Sequence, residues 1–358
     1  MKLLYVMNVD WDWIKQRPHF VAEQLSKYYD TTLLFEQDRK KKDYQKNEIP
    51  DRMKVVKFTL LPGVSKLKII RMIDEILRKA IISIVCKLVK PDVIYLTNPN
   101  QYVLARSKKY KIIYDCMDDY LSFPNASESI VNQEKIIVLN SDIITVSSEN
   151  LRTVLINRYR FEIRDKIAVV RNAFNGIVSD SSAIKNNNTE RFKIVYFGTI
   201  SEWFDFDVIV KSLDYFPNIE YLLMGPIQGG VEIPKHNSIK YIGTVPHEKL
   251  EQYVNDADAC MMPFKLNNLI ESVDPVKFYE YINFNKDIIS IYYKEIDRYS
   301  KYVYFYLDFE TFKNAMSEMI NNPSNKYSDE DRKEFLKVNT WERRAQQIKN
   351  IIDKNLKT

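Results

Sequence analysis

Short apolar runs alternate with longer amphipathic stretches along the first half of the chain. The runs Lys2–Met7, Thr31–Phe35 and Lys111–Tyr114 combine Leu, Ile, Val, Tyr and Phe over four to six residues. Runs of this length predict buried strands, and buried strands separated by helices predict a parallel sheet covered on both faces. The other runs of this kind are Lys54–Thr59, Pro91–Leu96, Asp142–Val146 and Ile167–Val170.

The pattern starts again after a polar segment, Ser179–Glu190, whose composition is typical of a linker. Five of the seven glycines lie in the second half, at strand ends. We therefore predict an α/β protein of two Rossmann-like, doubly wound domains, residues 1–175 and 176–340, that face each other across a cleft. Residues 341–358 are predicted to form a helix that returns to the first domain. The apolar runs of the second half are Phe192–Phe197, Ile219–Met224, Ile239–Ile242 and Ala259–Pro263.

Length and composition fit this organisation. The chain has 358 residues, of which 45% are hydrophobic and 28% are charged, as expected for two domains with sizeable cores. Cys86, Cys116 and Cys260 lack metal-ligand or redox spacing, so buried thiols in a reducing compartment are expected. The first predicted strand begins at Lys2, and no run of about 18 uncharged apolar residues follows. These features predict a cytoplasmic protein without a leader or a transmembrane helix.

Positive charge is concentrated in residues 39–90, which hold 15 Lys or Arg against 5 Asp or Glu. Between Lys66 and Lys90, apolar residues recur at helical spacing, with Lys and Arg on another side. Such a helix can lie on an anionic membrane, and it can equally be a domain helix with a solvated basic face. We expect peripheral contact of region 39–90 with the inner face of the cell membrane. Nucleic acid is not expected as a partner, because no recognition motif accompanies the charge.

The most specific stretch of the sequence runs from Ile242 to Asp287. It contains a Gly-Thr-Val-Pro turn at Gly243–Pro246, an Asp-Ala-Asp segment at Asp256–Asp258, a Pro-Phe strand end at Pro263–Phe264 and the segment PVKFYEY at Pro275–Tyr281. In this order and spacing, the stretch resembles the GT-B glycosyltransferases related to the large retaining family 4. The resemblance implies a nucleotide-sugar glycosyltransferase of the hexosyltransferase class, with the donor bound by the second domain.

The segment that begins at Pro275 is predicted to hold the donor diphosphate. A helix beginning there offers open N–H groups and a favourable dipole, and Lys277 adds a full positive charge. The resemblance assigns Glu280 to the ribose hydroxyls, but Ser272 stands where the family has a first Glu that contacts the sugar. Gly198 allows close approach of a phosphate or sugar to the backbone. An ordinary capped helix and a tight turn are the alternatives. The predicted donor contacts are Asn172, Gly198, Thr199, Met224, Lys277, Tyr279 and Glu280.

Two segments of the first half carry candidate groups for an acceptor. Trp11–His19 resembles a bacterial subgroup that makes surface polysaccharides of the teichuronic acid and xanthan type, which predicts acceptor contacts by Arg17 and His19. Ile112–Tyr120 places three carboxylates at a strand end, where crowding and partial burial raise a carboxyl pKa. Asp115 is predicted as the general base and Asp119 as a further acceptor contact. Helix capping is the alternative for His19, and it is the stronger alternative for Asp118 and Asp119.

The predicted reaction moves a sugar from a nucleotide-sugar, first of all a UDP-sugar, to a glycan or lipid-linked acceptor. No cofactor and no metal ion are expected. One alternative is a nucleotide-sugar epimerase of the same architecture, although only His19 is suitably placed for the acid and base groups that an epimerase needs. The other alternative is a non-catalytic nucleotide-sugar-binding protein, which the Ser at position 272 makes conceivable.

Overall fold

A computed structural model gives the fold of the chain. It describes residues 1–13, 15–37, 47–59, 68–106, 109–123, 126–174, 176, 178–179 and 191–356, with the backbone alone at 68–75, 161 and 247–248. The basic run Arg39–Lys42 and most of the predicted linker lie outside these residues. The chain divides into two compact units. Unit 1 comprises Met1–Asn172 and Trp341–Thr358, and unit 2 comprises Ala173–Thr340.

The strands of the chain are short and largely buried. They are β1 (Lys2–Met7), β2 (Asp30–Glu36), β3 (Met53–Phe58), β4 (Val93–Leu96), β5 (Lys111–Cys116), β6 (Ile143–Val146), β7 (Ile167–Val169), β8 (Phe192–Phe197), β9 (Ile219–Met224), β10 (Ile239–Gly243), β11 (Ala259–Met262), β12 (Asp287–Ile291) and β13 (Val303–Tyr306).

The helices lie between these strands along the chain, as expected for doubly wound units. They are α1 (Arg17–Leu25), α2 (Lys68–Val89), α3 (Tyr102–Ala105), α4 (Glu128–Asn140), α5 (Glu149–Tyr159), α6 (Phe206–Tyr215), α7 (His247–Asn255), α8 (Asn268–Glu271), α9 (Val276–Asn283), α10 (Phe309–Asn321), α11 (Asp329–Val338) and α12 (Trp341–Leu356).

Each unit contains one parallel sheet. The order in unit 1 is β3-β2-β1-β4-β5-β6-β7, and the order in unit 2 is β10-β9-β8-β11-β12-β13. In both sheets the strand order reverses beside the first strand, between β1 and β4 and between β8 and β11. Open parallel sheets bind ligands at the carboxyl ends of the strands near this reversal. The prediction of two Rossmann-like domains is confirmed.

The strands predicted from apolar runs are all present, with ends that agree to within two residues. Two further strands, β12 and β13, were not predicted. All three cysteines are buried free thiols, as expected. Within the described residues, no helix is both long and apolar enough to cross a membrane.

Helix α12 belongs to unit 1, although it follows unit 2 in the chain. The Trp341 ring stacks on Phe20 of α1, with 5.3 Å between ring centroids. Arg344 donates from Nε to the backbone oxygen of Asn172 at 3.1 Å. These contacts hold the C-terminal helix against α1 and against the segment that follows β7.

Candidate functional site

Three adjacent strands of unit 2 end in glycine. Gly198, Gly225 and Gly243 follow or close β8, β9 and β10, with φ angles of +138°, +132° and +87°. Side chains other than hydrogen are strongly disfavoured at such φ angles. The Gly198 N–H donates to the Met224 oxygen at 2.9 Å, and the Gly225 N–H donates to the Gly243 oxygen at 2.8 Å. We call these three residues the glycine edge. Gly198 and Gly243 are partly exposed and Gly225 is buried, so the edge presents side-chain-free backbone at its two outer positions.

The glycine edge is packed too tightly for a β-carbon at two of its positions. A Cβ on Gly225 would lie 2.1 Å from the backbone oxygen of Gly198. A Cβ on Gly198 would lie 2.3 Å from Cε and 2.8 Å from Nζ of Lys277. The fold therefore brings together Gly198 and Lys277, which are distant in sequence and were predicted separately as donor contacts.

The ammonium group of Lys277 is held between two aromatic rings. Its Nζ lies 5.6 Å from the ring centroid of Tyr196 and 5.8 Å from that of Phe264, distances at which a cation is attracted to the ring face. Burial lowers the pKa of Lys277, and the nearby charge of Glu280 opposes this effect. Among the described residues, no carboxylate forms an ion pair with Lys277. The site thus presents a positive charge that a ligand anion can neutralise.

Helix α9 points its open N-terminus into the same region. Pro275 is the residue before the first helical turn, and its side chain offers no hydrogen bond to the helix. The first N–H groups of a helix have no partner within it, and the helix dipole favours an anion there. Val276 and Lys277 therefore add backbone donors to the charge of the Lys277 side chain.

The loop before α9 is braced by residues that the sequence analysis did not single out. The carboxylate of Asp274 accepts hydrogen bonds from Arg298 at 2.5 Å and from the Tyr299 hydroxyl at 3.1 Å. Tyr279, predicted as a donor contact, is fully buried, and its hydroxyl donates to Asp274 at 3.2 Å. In this geometry Tyr279 supports the loop through its bond to Asp274. The sequence signal for this bracing is Asp274, an aspartate directly before the proline at which the helix starts.

The remaining predicted donor contacts differ in their exposure and in the unit to which they belong. Thr199 is partly exposed beside Gly198, and Glu280 is partly exposed one turn along α9 from Lys277. The Met224 side chain is buried (1% exposed), so only the backbone of this residue contributes to the contacts at the glycine edge. Asn172 belongs to unit 1, where its side-chain oxygen accepts from Arg17. Ser272, at the position of the family's first Glu, is buried.

In unit 1, the structure joins Arg17 and Asp115, which are 98 residues apart in sequence. Nη2 and Nε of Arg17 donate to the two carboxylate oxygens of Asp115 at 2.8 and 3.0 Å. The Thr145 hydroxyl donates to the same carboxylate at 2.7 Å. Asp115 is fully buried and Arg17 is 5% exposed. Burial would lower the pKa of Arg17, but the charge of Asp115 raises it above its ordinary value. Proton abstraction by Asp115, as predicted, would require this pair to open.

His19 and Asp119 were also predicted to contact an acceptor, and both are buried. Nδ1 of His19 accepts the Gln16 N–H at 3.2 Å, and Nε2 lies 3.2 Å from the Asp10 oxygen. Burial lowers the pKa of His19, which fits a neutral ring that closes the first turn of α1. Asp119 is 2% exposed and accepts from Arg158 at 2.8 Å. In this geometry both side chains are bound to neighbouring residues of unit 1 and support its local fold.

Asp118 differs from its two acidic neighbours. It lies just beyond β5 at the carboxyl edge of the sheet and is partly exposed. Burial raises the pKa of Asp118 to about 6, with a further rise from Asp119 and an opposing effect of Arg17. Within the part of the chain that the structure describes, its carboxylate has no hydrogen bond or ion pair. A carboxyl group with these properties can accept a proton near neutral pH.

Breaking the buried pair is expected to be costly. Asp115→Ala leaves the Arg17 charge buried without its partner, so the free energy of unfolding should fall by about 3–5 kcal/mol in urea denaturation. Adding Arg17→Met to this variant should recover part of the loss. The matched control is Asp30→Ala, which breaks an exposed pair with Lys54 and should cost at most about 1 kcal/mol. Equal, small losses for Asp115→Ala and the control would show that the pair does not stabilise unit 1.

Within the described ranges, no three His, Cys, Asp or Glu side chains are grouped so that they could hold a metal ion. The positive groups beside the glycine edge are instead Lys277 and the N-terminus of α9.

Comparison with known proteins gives a result for the fold alone. No family model matches the chain, and no curated protein matches its sequence. Sucrose-phosphate synthase from Thermosynechococcus elongatus superposes with a TM-score of 0.72 at 13% identity, over 99% of this chain and 98% of that chain. The lipopolysaccharide outer core galactosyltransferase WaaB gives 0.69 at 13% identity, over 99% and 100%. Anabaena HepE in complex with UDP and glucose gives 0.66 at 13% identity, over 99% of both chains.

The two sheet orders and these structural neighbours agree. The chain has the GT-B fold, with two Rossmann-like units of the kind found in glycosyltransferases.

Proposed function

We propose that this protein is a glycosyltransferase that takes its sugar from a nucleotide-sugar donor. A UDP-sugar is the first candidate for this donor. The observation that carries the proposal is the ammonium group of Lys277, which lies against Gly198 at the carboxyl edge of a Rossmann-like sheet. A diphosphate is a flexible anion that fits open backbone N–H groups, a helix N-terminus and one lysine. The printed description of HepE, in complex with UDP and glucose, supports this choice.

The donor is assigned to unit 2. Its diphosphate rests on Gly198, Thr199, Lys277 and the first turn of α9, and Glu280 accepts hydrogen bonds from the ribose hydroxyls. Ser272 stands where the family has a carboxylate, and a serine cannot supply one to the transferred sugar. Its hydroxyl donates to the Asn268 oxygen at 3.0 Å. The sugar hydroxyls are therefore recognised differently from the pattern of the family that the sequence resembles.

The acceptor is assigned to unit 1. We propose a glycan or a lipid-linked sugar of bacterial surface polysaccharide synthesis, on the resemblance of Trp11–His19 to that subgroup. WaaB, named as a lipopolysaccharide galactosyltransferase, is consistent with it. Because Asp115 is buried against Arg17, we assign the pair a positioning role at the end of β5. The partly exposed Asp118 is the better candidate for the base.

The chemistry of an inverting transfer balances with these groups. The acceptor oxygen attacks the anomeric carbon, and the bond from that carbon to the diphosphate breaks. The acceptor hydroxyl proton passes to the Asp118 carboxylate, and the electron pair leaves with the diphosphate. Lys277 and the α9 N-terminus stabilise the negative charge that develops on the leaving group. No metal ion takes part in this proposal. If transfer proceeds with retention, Asp118 no longer serves as a base.

The donor site is tested by Lys277→Met, which keeps an unbranched side chain, shorter by one atom, and removes its charge. A hydrogen bond to a charged group contributes about 2–3 kcal/mol, so the dissociation constant of UDP should rise roughly 30- to 150-fold in titration calorimetry. Thermal unfolding should not move to lower temperature, because the variant removes a partly buried charge that has no ion-pair partner among the described residues.

The matched control is Lys265→Met, which removes an exposed lysine two residues from Pro263 and should leave the UDP affinity unchanged. An unchanged affinity in Lys277→Met would mean that the donor site is misassigned. Incubation of the donor alone separates the alternatives. An isomerised sugar would indicate an epimerase, and binding without any reaction would indicate a nucleotide-sugar-binding protein.

A further inference from the structure

Helix α2 carries a row of apolar side chains that faces solvent. Ile76, Ala80, Ile84 and Leu88 follow one another at intervals of four, so they share one side of the helix. The exposed fractions are 62% for Ile76, 56% for Ile84 and 77% for Leu88. Leu77, which is 40% exposed, borders the row. We call Ile76, Ala80, Ile84 and Leu88 the outer row.

The outer row is distinct from the side of α2 that packs on the protein. Ile82, Val85 and Cys86 are about 5–6% exposed and belong to the hydrophobic core of unit 1. From Ile76 to Val89 the helix is therefore apolar on two sides, and among the described residues only one of these sides packs in the core of unit 1. A helix face of this composition is stable in contact with a second apolar phase.

Positive charge lies directly beside the outer row. Lys79, Ser83 and Lys87 form the neighbouring row at the same interval, and Lys90 follows at the end of the helix; all four residues are exposed. No acidic residue occurs between Ile76 and Lys90. Arg78 lies outside this row and forms an ion pair with Glu36 at 2.9 Å.

We propose that the outer face of α2 docks on an anionic lipid bilayer. The outer row enters the interface between headgroups and acyl chains, and the lysine row meets the lipid phosphates. This inference goes beyond the proposed transferase activity and does not depend on it. It also narrows the expectation for residues 39–90 to the second half of one helix, and it adds apolar insertion to charge attraction.

Charge decides between a bilayer and a second copy of the chain. In a two-fold dimer the same patch meets itself, so the lysine rows of both copies would come together. The stretch from Ile76 to Lys90 offers no carboxylate to offset this repulsion. An anionic lipid surface is complementary to both rows at once.

The test is sedimentation of the full chain with vesicles of phosphatidylglycerol and phosphatidylcholine in equal parts, compared with vesicles of phosphatidylcholine alone. We expect binding to the anionic vesicles. The variant Ile84→Ser/Leu88→Ser should lower the partition coefficient at least about tenfold, because two inserted side chains are lost. Lys79→Gln/Lys87→Gln should weaken binding to the anionic vesicles and make it less sensitive to salt.

The matched control is Leu307→Ser/Val338→Ser, which removes two exposed apolar side chains of unit 2 (65% and 51% exposed) and should bind as the unmodified protein does. A Leu88→Trp variant reports insertion directly, since its fluorescence should shift to the blue on the anionic vesicles. Absence of vesicle binding by the unmodified protein would overturn the proposal. So would full binding by Ile84→Ser/Leu88→Ser, or self-association that this variant abolishes while vesicles remain unbound. None of these assays requires a donor, so they fail independently of the transferase assignment.

Discussion

Asp118→Asn is expected to lower kcat/KM for sugar transfer by about 100- to 10,000-fold, the usual contribution of a general base. Asparagine keeps the size of the side chain and its hydrogen-bonding capacity but cannot take up the acceptor proton. Donor binding should be unchanged, because the diphosphate is assigned to Lys277 and α9 in unit 2. The measurement is a pair of assays, initial rates of transfer and calorimetric titration of UDP.

The pH dependence of kcat/KM tests the assignment of Asp118 as the base independently. Burial raises the pKa of Asp118 to about 6, so the active, deprotonated form predominates above that pH. We expect kcat/KM to be constant above about pH 7 and to fall as the pH drops through 6. This acidic limb should disappear from the residual activity of Asp118→Asn. The matched control is Asp165→Asn, an exposed carboxylate of unit 1, which should retain the full rate and the full profile. A normal rate for Asp118→Asn would exclude Asp118 as the base, and a retained anomeric configuration in the product would remove the need for one.

Gly225→Ala is expected to destabilise unit 2 by about 3–6 kcal/mol. Its φ of +132° is strained for any L side chain, and the added Cβ would lie 2.1 Å from the backbone oxygen of Gly198. That oxygen is part of the strand ends of the glycine edge and cannot turn away as a side chain could. The measurement is the free energy of unfolding in urea, followed by circular dichroism.

Two other glycines separate strain from crowding. Gly230 has φ +71° but no atom within 4 Å of an added Cβ, so Gly230→Ala should cost only about 1–2 kcal/mol. In Gly198→Ala the Cβ meets the flexible Lys277 side chain, so a moderate loss of stability should accompany a loss of UDP affinity similar to that of Lys277→Met. If Gly225→Ala and Gly230→Ala cost the same, the close contact of the two strand ends is not rigid.

The framework of the chain was predictable because buried parallel strands leave continuous apolar runs. Those runs gave eleven strands in two groups, and the resulting topology places Gly198 and Lys277 at one edge of one sheet. Strands β12 and β13 were not predicted, although DIISI and VYFY are apolar runs of the same kind. Aromatic residues next to these runs make the strand boundaries less distinct.

The tertiary contacts of the polar residues in unit 1 could not be predicted from the sequence. Arg17, His19 and Asp119 stand in motifs that suggest ligand contact, but their side chains are buried and bound to other residues of the unit. A local sequence does not reveal that Arg17 of helix α1 contacts Asp115 of strand β5, or that Asp119 contacts Arg158 of helix α5. Exposure and hydrogen bonding decided which carboxylate of the Asp115–Asp119 segment is available, and both depend on the tertiary fold.

The central claim, that the donor diphosphate binds where α9 meets the glycine edge, is tested most directly by a crystal structure with UDP bound. The predicted result is density for both phosphates beside Gly198 and within hydrogen-bond distance of Lys277 Nζ and the first N–H groups of α9. Density for UDP at any other position, with this edge left free, would contradict the account.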